Sequence, residues 1–138
     1  MITADSSVWI DYLGGRNTRA AMQLDAVLDD SSRDIVLLDV VLMEVLRGFR
    51  FDHERRMAKD AFAVLPVHSA GGVTVALKAA SMYRSLRSEG VTVRSSIDLL
   101  IGAWCIENDC SLIHSDRDRD SNYDFSAMPG HGLQFWSQ

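Results

Sequence analysis

Four acidic residues occupy positions at which a carboxylate is either structurally useful or chemically active: Asp5, Glu44, Asp98 and Asp116. Glu44 is the clearest case, because it is the only charged residue between Asp39 and Arg47 in an otherwise apolar stretch. A carboxylate in such a place loses hydration unless it is paired or binds a metal ion. Converging carboxylates repel one another unless a cation lies between them. Hard divalent cations such as Mg²⁺ prefer oxygen ligands, so the pattern indicates a metal site.

Each of these residues also has a purely structural explanation. Asp5 could cap the helix that follows it, and Ser95 with Asp98 resembles a capping box in which Asp replaces the preferred Glu. Glu44 and Arg47 are spaced to pair on one helix face. Asp116 stands near Arg117 and Arg119 and could be an ordinary loop residue. Taken singly, the three aspartates are explained by structure; taken together, the four carboxylates favour a shared site.

The elements that must position these residues follow from apolar periodicity. Helical spacing and capping residues predict helices at 5–13, 18–28, 40–49 (capped by Asp39), 53–63, 72–90 and 95–109. Short apolar runs predict strands at 1–4, 35–38, 64–67 and 111–114, and "LQFW" near the end is a candidate fifth. Strands that alternate with helices indicate an α/β domain with a mostly parallel sheet.

In an open parallel sheet, ligands bind beyond the carboxyl ends of the strands. Asp5 and Asp116 directly follow the first and fourth predicted strands, so both should lie at that edge. Asp98 should join them if its helix begins there, in the first turn of a stretch that is apolar nearly all round and therefore buried.

Composition indicates one globular domain covering residues 1–138. Of the 138 residues, 47% are hydrophobic and 24% are charged, and no apolar run has the length of a membrane span. The start "MITADSS" lacks the pattern of a signal peptide, so we expect a cytoplasmic protein with no membrane association. Cys105 and Cys110 do not form a C-x-x-C pair and are expected to be buried thiols.

The net charge of −5 argues against holding nucleic acid by broad electrostatics alone. Without the four acidic residues above, the charge would be −1, so the rest of the surface is near balance. Basic residues cluster after Glu44, and we expect most of them to lie on a solvated helix face: Arg47, Arg50, Arg55, Arg56 and Lys59.

The order of four segments resembles the PIN domain, and specifically the VapC-type toxin ribonucleases of bacterial toxin–antitoxin pairs. The segments are "MITADSSVWIDYL", "VVLMEVLRGF", "SSIDLLIGAWCIENDC" and "SLIHSDRDRD". The resemblance implies a three-layer α/β/α fold with a central sheet of four to five strands. It places the acidic quartet of the family on Asp5, Glu44, Asp98 and Asp116, with auxiliary roles for Ser7, Asp118 and Asp120. One departure is that the family often ends this motif "D-x-D-F", whereas "DRDRDSNYDF" delays the aromatic residue to Tyr123 or Phe125. We expect Asp124 to be solvated.

The resemblance further implies an endoribonuclease that depends on Mg²⁺, with Mn²⁺ as a substitute. Asp5 and Asp98 would be the main metal ligands, completed by Glu44 and Asp116. It also implies a homodimer, an RNA substrate and a VapB-type antitoxin that covers the site. An apolar groove for the antitoxin could involve five residues, which could equally be core: Met22, Leu24, Leu28, Phe49 and Phe51.

Three alternatives to this hypothesis follow from the residues. A receiver domain needs a lysine after its last strand, and neither Lys59 nor Lys78 stands at a strand end, which excludes that class. His114 beside Asp116 would suit zinc, but the other histidines lack ligand spacing and no zinc site is expected. A non-catalytic PIN-like module that binds RNA or protein stays open, although all four acidic positions are filled.

Overall fold

The protein is described by a computed structural model that covers residues 1–115 and 124–137. Five strands are present in these ranges: β1 (Ile2–Ala4), β2 (Leu37–Leu38), β3 (Val67–His68), β4 (Ser111–Ile113) and β5 (Gln134–Phe135). Six helices lie in pairs between the first four strands: α1 (Ser6–Leu13), α2 (Arg19–Asp29), α3 (Asp39–Gly48), α4 (Asp52–Phe62), α5 (Val73–Ser88) and α6 (Ser96–Glu107). Two short 3₁₀ turns, Phe125–Ala127 and Pro129–His131, precede β5.

All the strand pairs are parallel. β4 lies between β1 and β5, β2 pairs with β3, and a single bridge from Ile2 to Ile35 joins the two groups. The amide of Ile2 donates to the Asp34 carbonyl at 2.8 Å, and the amide of Val36 donates to the Ile2 carbonyl at 2.9 Å. The spatial order is therefore β3-β2-β1-β4-β5, which places β1 at the centre and confirms the predicted parallel α/β fold.

Two groups of helices pack around this sheet. α5 packs on α6, whereas α1 packs on α2, α3 and α4. As its apolar sequence predicted, α6 is buried along most of its middle, including Ile101 and Trp104. Together these elements form the predicted three-layer α/β/α domain. Both cysteines are buried and unpaired, as predicted.

The third strand begins later than predicted. The sequence favours a strand at 64–67, yet Val64 is 83% exposed and the amide of Leu65 donates to the Phe62 carbonyl at 3.1 Å, in a turn that ends α4. Pro66 lacks an amide hydrogen, but its carbonyl accepts the first bond from β2, at 2.9 Å from the amide of Leu37. The paired residues therefore start only at Val67.

The start of α3 also differs from the prediction. Asp39 is the first helical residue rather than the residue before the helix, which is Leu38. Its carboxylate accepts hydrogen bonds from the amides of Val40 at 2.8 Å and Ala70 at 3.0 Å. The helix predicted at 72–90 ends at Ser88, and Gly90 stands two residues beyond it with a φ of 86° that favours glycine.

No helix in the described part of the chain has the length and apolar character needed to span a membrane.

Candidate active site

The carboxyl ends of β1 and β4 lie side by side and bring Asp5 to the edge of the sheet. Ala4 pairs with Ile113, and the Asp5 amide donates to the Ile113 carbonyl at 3.0 Å. Asp5 is the residue before α1, and its Oδ1 accepts the Ser6 amide at 2.8 Å. The capping explanation is therefore correct, but it does not exclude a place in the site. Ser7 donates from its hydroxyl to the other oxygen, Oδ2, at 2.9 Å.

α3 brings Glu44 to the same place. The Ser6 hydroxyl lies 3.0 Å from Glu44 Oε1 and 3.4 Å from Asp5 Oδ1, so this serine links the two carboxylates. Arg47 lies one turn further along α3, and its guanidinium is 3.9 Å from Glu44 Oε2. The predicted pairing of Glu44 and Arg47 thus exists, although Arg47 is largely exposed and the contact is weak.

Asp98 enters from the first turn of α6. It is only 5% exposed, and its amide donates to the hydroxyl of Ser95 at 3.2 Å, as in the predicted capping box. The reciprocal half of that box is absent among the described residues, because the Ser95 amide donates to a different carboxylate, that of Asp124. Within the described ranges, the buried Oδ2 of Asp98 accepts no hydrogen bond, and the carboxyl group of Asp124 lies close enough to Asp98 to share a proton with it. A buried acceptor without a partner is costly unless something else binds it.

Burial and mutual repulsion make these carboxylates harder to ionise. Burial, the charges of Asp5, Asp124 and Glu44, and a hydrogen bond between the carboxyl groups of Asp98 and Asp124 together raise the pKa of Asp98 to about 8. Burial also raises the pKa of Asp5 and of Glu44, an effect partly offset by hydrogen bonds from the neighbouring serines. An added positive charge would relieve this repulsion.

The three carboxylates line one pocket of about 130 Å³, together with five other residues: Ser6, Ser7, Ser95, Ser115 and Phe125. Of these five residues, only Ser7 was predicted from the sequence as part of the site. Ser115 lies directly before Asp116, and the proposed fourth carboxylate itself lies outside the described residues, as do Asp118 and Asp120. The structure thus brings together three of the four predicted acidic residues and leaves the fourth a prediction.

The prediction that Asp124 is solvated is wrong. Asp124 is 6% exposed, and its two oxygens accept hydrogen bonds from the amides of Arg94 at 3.1 Å and Ser95 at 3.0 Å. The next residue, Phe125, is 3% exposed and lines the pocket. The delayed aromatic residue of the motif therefore reaches the site. The signal in the sequence was an aspartate directly followed by a phenylalanine. The residues between Asp116 and Asp124 separate this pair from the rest of the motif.

The five apolar residues considered for an antitoxin groove divide into two sets. Leu24 and Phe49 are buried in the core, and Leu28 packs against it. Met22 and Phe51 are more than half exposed, at 62% and 55%. The core alternative is thus correct for Leu24 and Phe49, whereas Met22 and Phe51 remain available at the surface.

The chemistry of the donors fits a hard divalent cation. The acidic side chains that line the pocket present carboxylate oxygens to a cation. One of these oxygens, Asp98 Oδ2, is buried and accepts no hydrogen bond within the described ranges. Across residues 1–115 and 124–137, no three acidic, histidine or cysteine side chains come close enough to enclose an ion by themselves. Mg²⁺ in proteins is typically held by one or two carboxylates, and water and substrate oxygens are its other ligands.

Comparison with known proteins identifies the family. Residues 2–125 match the PIN domain family, a span that ends on Phe125. The chain belongs to the PIN-domain family. The resemblance seen in the sequence is therefore confirmed, and this PIN domain has curated relatives among the VapC proteins. It is 30% identical over 120 residues to Ribonuclease VapC11 of Mycobacterium tuberculosis and to a VapC ribonuclease of Mycobacterium bovis. Each match covers 87% of this chain and 90% of the relative.

Solved structures agree with the fold. VapBC2 from Rickettsia felis, bound to a DNA fragment from its promoter, matches 99% of this chain and 100% of its own with a TM-score of 0.72 at 16% identity. FitAcB from Neisseria gonorrhoeae matches 99% of this chain and 97% of its own with a TM-score of 0.70 at 15% identity. At these identities the likeness shows that the PIN domain fold is shared.

Proposed function

We propose that this PIN domain is the toxin of a type II toxin–antitoxin pair and acts as a metal-dependent endoribonuclease. One observation carries the proposal: Asp5, Glu44 and Asp98 share a pocket at the carboxyl edge of the sheet. The sequence similarity to VapC ribonucleases supports the same activity. A cluster of partly desolvated carboxylates is poorly suited to bind RNA by itself, but it is well suited to bind a cation that RNA can approach.

The cation that we propose is Mg²⁺, with Mn²⁺ as a substitute. Asp5 and Asp98 would bind it directly, and Glu44 and Asp116 would complete the site directly or through water. A bound divalent cation would supply a Lewis acid for the phosphodiester and a water molecule of lowered pKa. Asp118 and Asp120 are proposed auxiliaries that follow Asp116.

The serines of the pocket have a different role, because they hold the carboxylates in place. The Ser7 hydroxyl fixes one oxygen of Asp5, and the Ser6 hydroxyl spaces Glu44 from Asp5. Such hydrogen bonds stabilise the ionised form of each carboxylate. They therefore keep oxygen lone pairs available in a site where burial favours protonation. Partners that orient metal ligands typically contribute about 10–100-fold in affinity or activity.

The proposed partners are an RNA substrate, a second copy of the chain and a VapB-type antitoxin. Support for the antitoxin comes from the shared fold with the VapBC complexes. The exposed apolar side chains Met22 and Phe51 offer surface that a partner could cover.

The proposal is tested by incubating purified protein with a mixed RNA pool in Mg²⁺ or in EDTA. Asp5→Asn and Asp98→Asn are assayed in parallel, with Asp60→Asn, an exposed residue of α4, as a control for the loss of one negative charge. We expect cleavage only with Mg²⁺, and only by the wild type and the control. Metal-dependent cleavage that survives both site substitutions would refute the residue assignment. If the intact protein, free of antitoxin, cuts no RNA with either metal, a non-catalytic binding module becomes the better description.

A further inference from the structure

Asp124 is a buried carboxylate beside the pocket that the proposed chemistry does not use. Its Oδ1 accepts the Arg94 amide at 3.1 Å and its Oδ2 accepts the Ser95 amide at 3.0 Å. Both amides precede the first turn of α6, where backbone donors have no partner within the helix. Asp124 therefore anchors two consecutive peptide groups at the entrance to α6.

The two carboxyl groups lie close to each other, and the anchor is also connected to the backbone of Asp98 through one residue. Ser95 is the residue before α6, and its hydroxyl accepts the amide of Asp98 at 3.2 Å. Asp124 holds the Ser95 backbone, and the Ser95 side chain holds the Asp98 backbone. The direction of the first turn of α6, and with it the direction of the Asp98 side chain, thus depends on a contact with a residue 26 positions later.

The segment that carries Asp124 is itself fixed against α6. Phe125 is 3% exposed, and Met128 is fully buried against Gly102, one turn beyond Asp98. A methyl group in place of the Gly102 hydrogen would overlap the Met128 sulfur, so the helix and the segment are in close contact. A rigid segment can act as an anchor, whereas a loose one cannot.

We propose that Asp124 is a positioning residue for Asp98, which it orients through the Ser95 backbone at the start of α6. The inference rests on the proposed function, because Asp98 is the metal ligand that it serves. A carboxylate suits this role because both of its oxygens accept hydrogen bonds, whereas an asparagine would turn a donor NH₂ toward one of the two amides. The negative charge also lies at the amino end of α6, where the helix dipole favours it.

The variant that tests the proposal is Asp124→Asn, which keeps the side-chain size and loses one acceptor. The matched control is Asp109→Asn, which makes the same charge change at an exposed position beyond the opposite end of α6. Asp109 has a φ of 50°, a conformation that asparagine also tolerates well. Three readouts are compared: amide exchange by NMR at Arg94 and Ser95, Mn²⁺ affinity by calorimetry, and kcat and KM for RNA cleavage.

In Asp124→Asn we expect amide exchange at these two positions to be at least about tenfold faster. Mn²⁺ should bind about tenfold more weakly, and kcat should fall about 10–100-fold while KM changes little. Asp109→Asn should match the wild type in all three. A lower melting temperature with unchanged Mn²⁺ affinity and unchanged kcat of the folded protein would show a purely structural role and overturn the proposal.

A second variant keeps the proposal testable if Asp124→Asn does not fold. Ser95→Ala removes the hydroxyl that holds the Asp98 amide but retains the anchor, and it should weaken Mn²⁺ binding in the same direction. Unchanged Mn²⁺ affinity in Ser95→Ala would contradict the proposed connection. If the wild type cleaves no RNA, the proposed function fails, yet Mn²⁺ affinity and amide exchange still decide whether Asp124 positions Asp98.

Discussion

Asp5 and Asp39 look alike in the sequence and differ in the folded protein. Each directly follows a parallel strand and stands at the start of a helix, and each carboxylate accepts the amide of the next residue at 2.8 Å. Asp39 also accepts the Ala70 amide at 3.0 Å, so it ties the end of β2 to the chain that follows β3. Asp5 instead lies in a pocket with two other carboxylates, those of Glu44 and Asp98.

The neighbours of each strand explain this difference. β1 lies beside β4 at the centre of the sheet, where α3 and α6 bring two further carboxylates to the carboxyl edge. β2 pairs with β3, and the chain that follows β3 brings a backbone amide to the same edge. A carboxylate among amides is a structural contact, whereas converging carboxylates repel one another. The same local motif therefore acquires its role from the strand beside it.

The largest expected difference between the two aspartates is in catalysis. Asp5→Asn keeps the acceptor for the Ser6 amide but removes the charge, and we expect it to lower kcat/KM for RNA cleavage by at least about 100-fold. Asp39→Asn makes the same change outside the pocket and should stay within about threefold of the wild type. Initial rates on a labelled RNA in Mg²⁺ measure both. Equal losses in the two variants would contradict the distinction.

The buried carboxylate of Asp98 should destabilise the folded protein when no metal is bound. Its pKa of about 8 in the folded protein lies above the ordinary value of 3.8, so between these values the native state binds more protons than the unfolded state. The free energy of unfolding in EDTA should therefore fall as the pH rises from about 4 to 8. Asp98→Asn should lessen that fall and be more stable than the wild type by about 1–3 kcal/mol at pH 8.

Urea unfolding at a series of pH values, in EDTA and in Mg²⁺, tests this expectation. Asp39→Asn serves as the control and should keep the pH dependence of the wild type. Added Mg²⁺ should stabilise the wild type more than Asp98→Asn, because only the former keeps the full set of ligands. If the free energy of unfolding of Asp98→Asn had the same pH dependence as that of the wild type, ionisation of Asp98 would not be the cause of that dependence.

A smaller effect is expected from removing the structural contact. Asp39→Ala loses both hydrogen bonds to Val40 and Ala70, and it should cost about 0.5–2 kcal/mol of stability. The kcat of the folded protein should not change, because the contact lies outside the pocket. Asp60→Ala, on the exposed face of α4, is the control for loss of a surface carboxylate. Thermal unfolding followed by circular dichroism measures the difference, and an Asp39→Ala variant as stable as Asp60→Ala would count against the contact.

The smallest effect is expected at the exposed rim of the site. The guanidinium of Arg47 lies 3.9 Å from Glu44 and its side chain is 70% exposed, so the pair is well screened by solvent. Arg47→Ala should change the free energy of unfolding by less than about 0.5 kcal/mol. Urea unfolding at low and high salt measures this change. Exposed ion pairs rarely contribute more than about 1 kcal/mol. A larger loss in the free energy of unfolding would mean that Arg47, rather than Ser6, is the main partner that stabilises Glu44.

Sequence alone determined most of the elements and the edge at which the site lies. Apolar periodicity and capping residues are local signals, so the six helices and the parallel strands could be predicted, with an error of three residues at the start of β3 and of one residue at the start of α3. Asp5 could be placed at the sheet edge because it directly follows a strand. Glu44 could be selected because it is the only charged residue between Asp39 and Arg47, in a stretch whose other side chains are apolar.

Only the tertiary structure decided which residues meet. The Ser6 hydroxyl reaches a carboxylate 38 positions away, and Asp124 reaches amides about 30 positions earlier, so no local pattern contains either contact. Phe49 and Phe51 are two residues apart and equally apolar, yet one is buried and the other exposed. Periodicity reports the side of an element to which a residue belongs, whereas burial and partners depend on how distant elements pack.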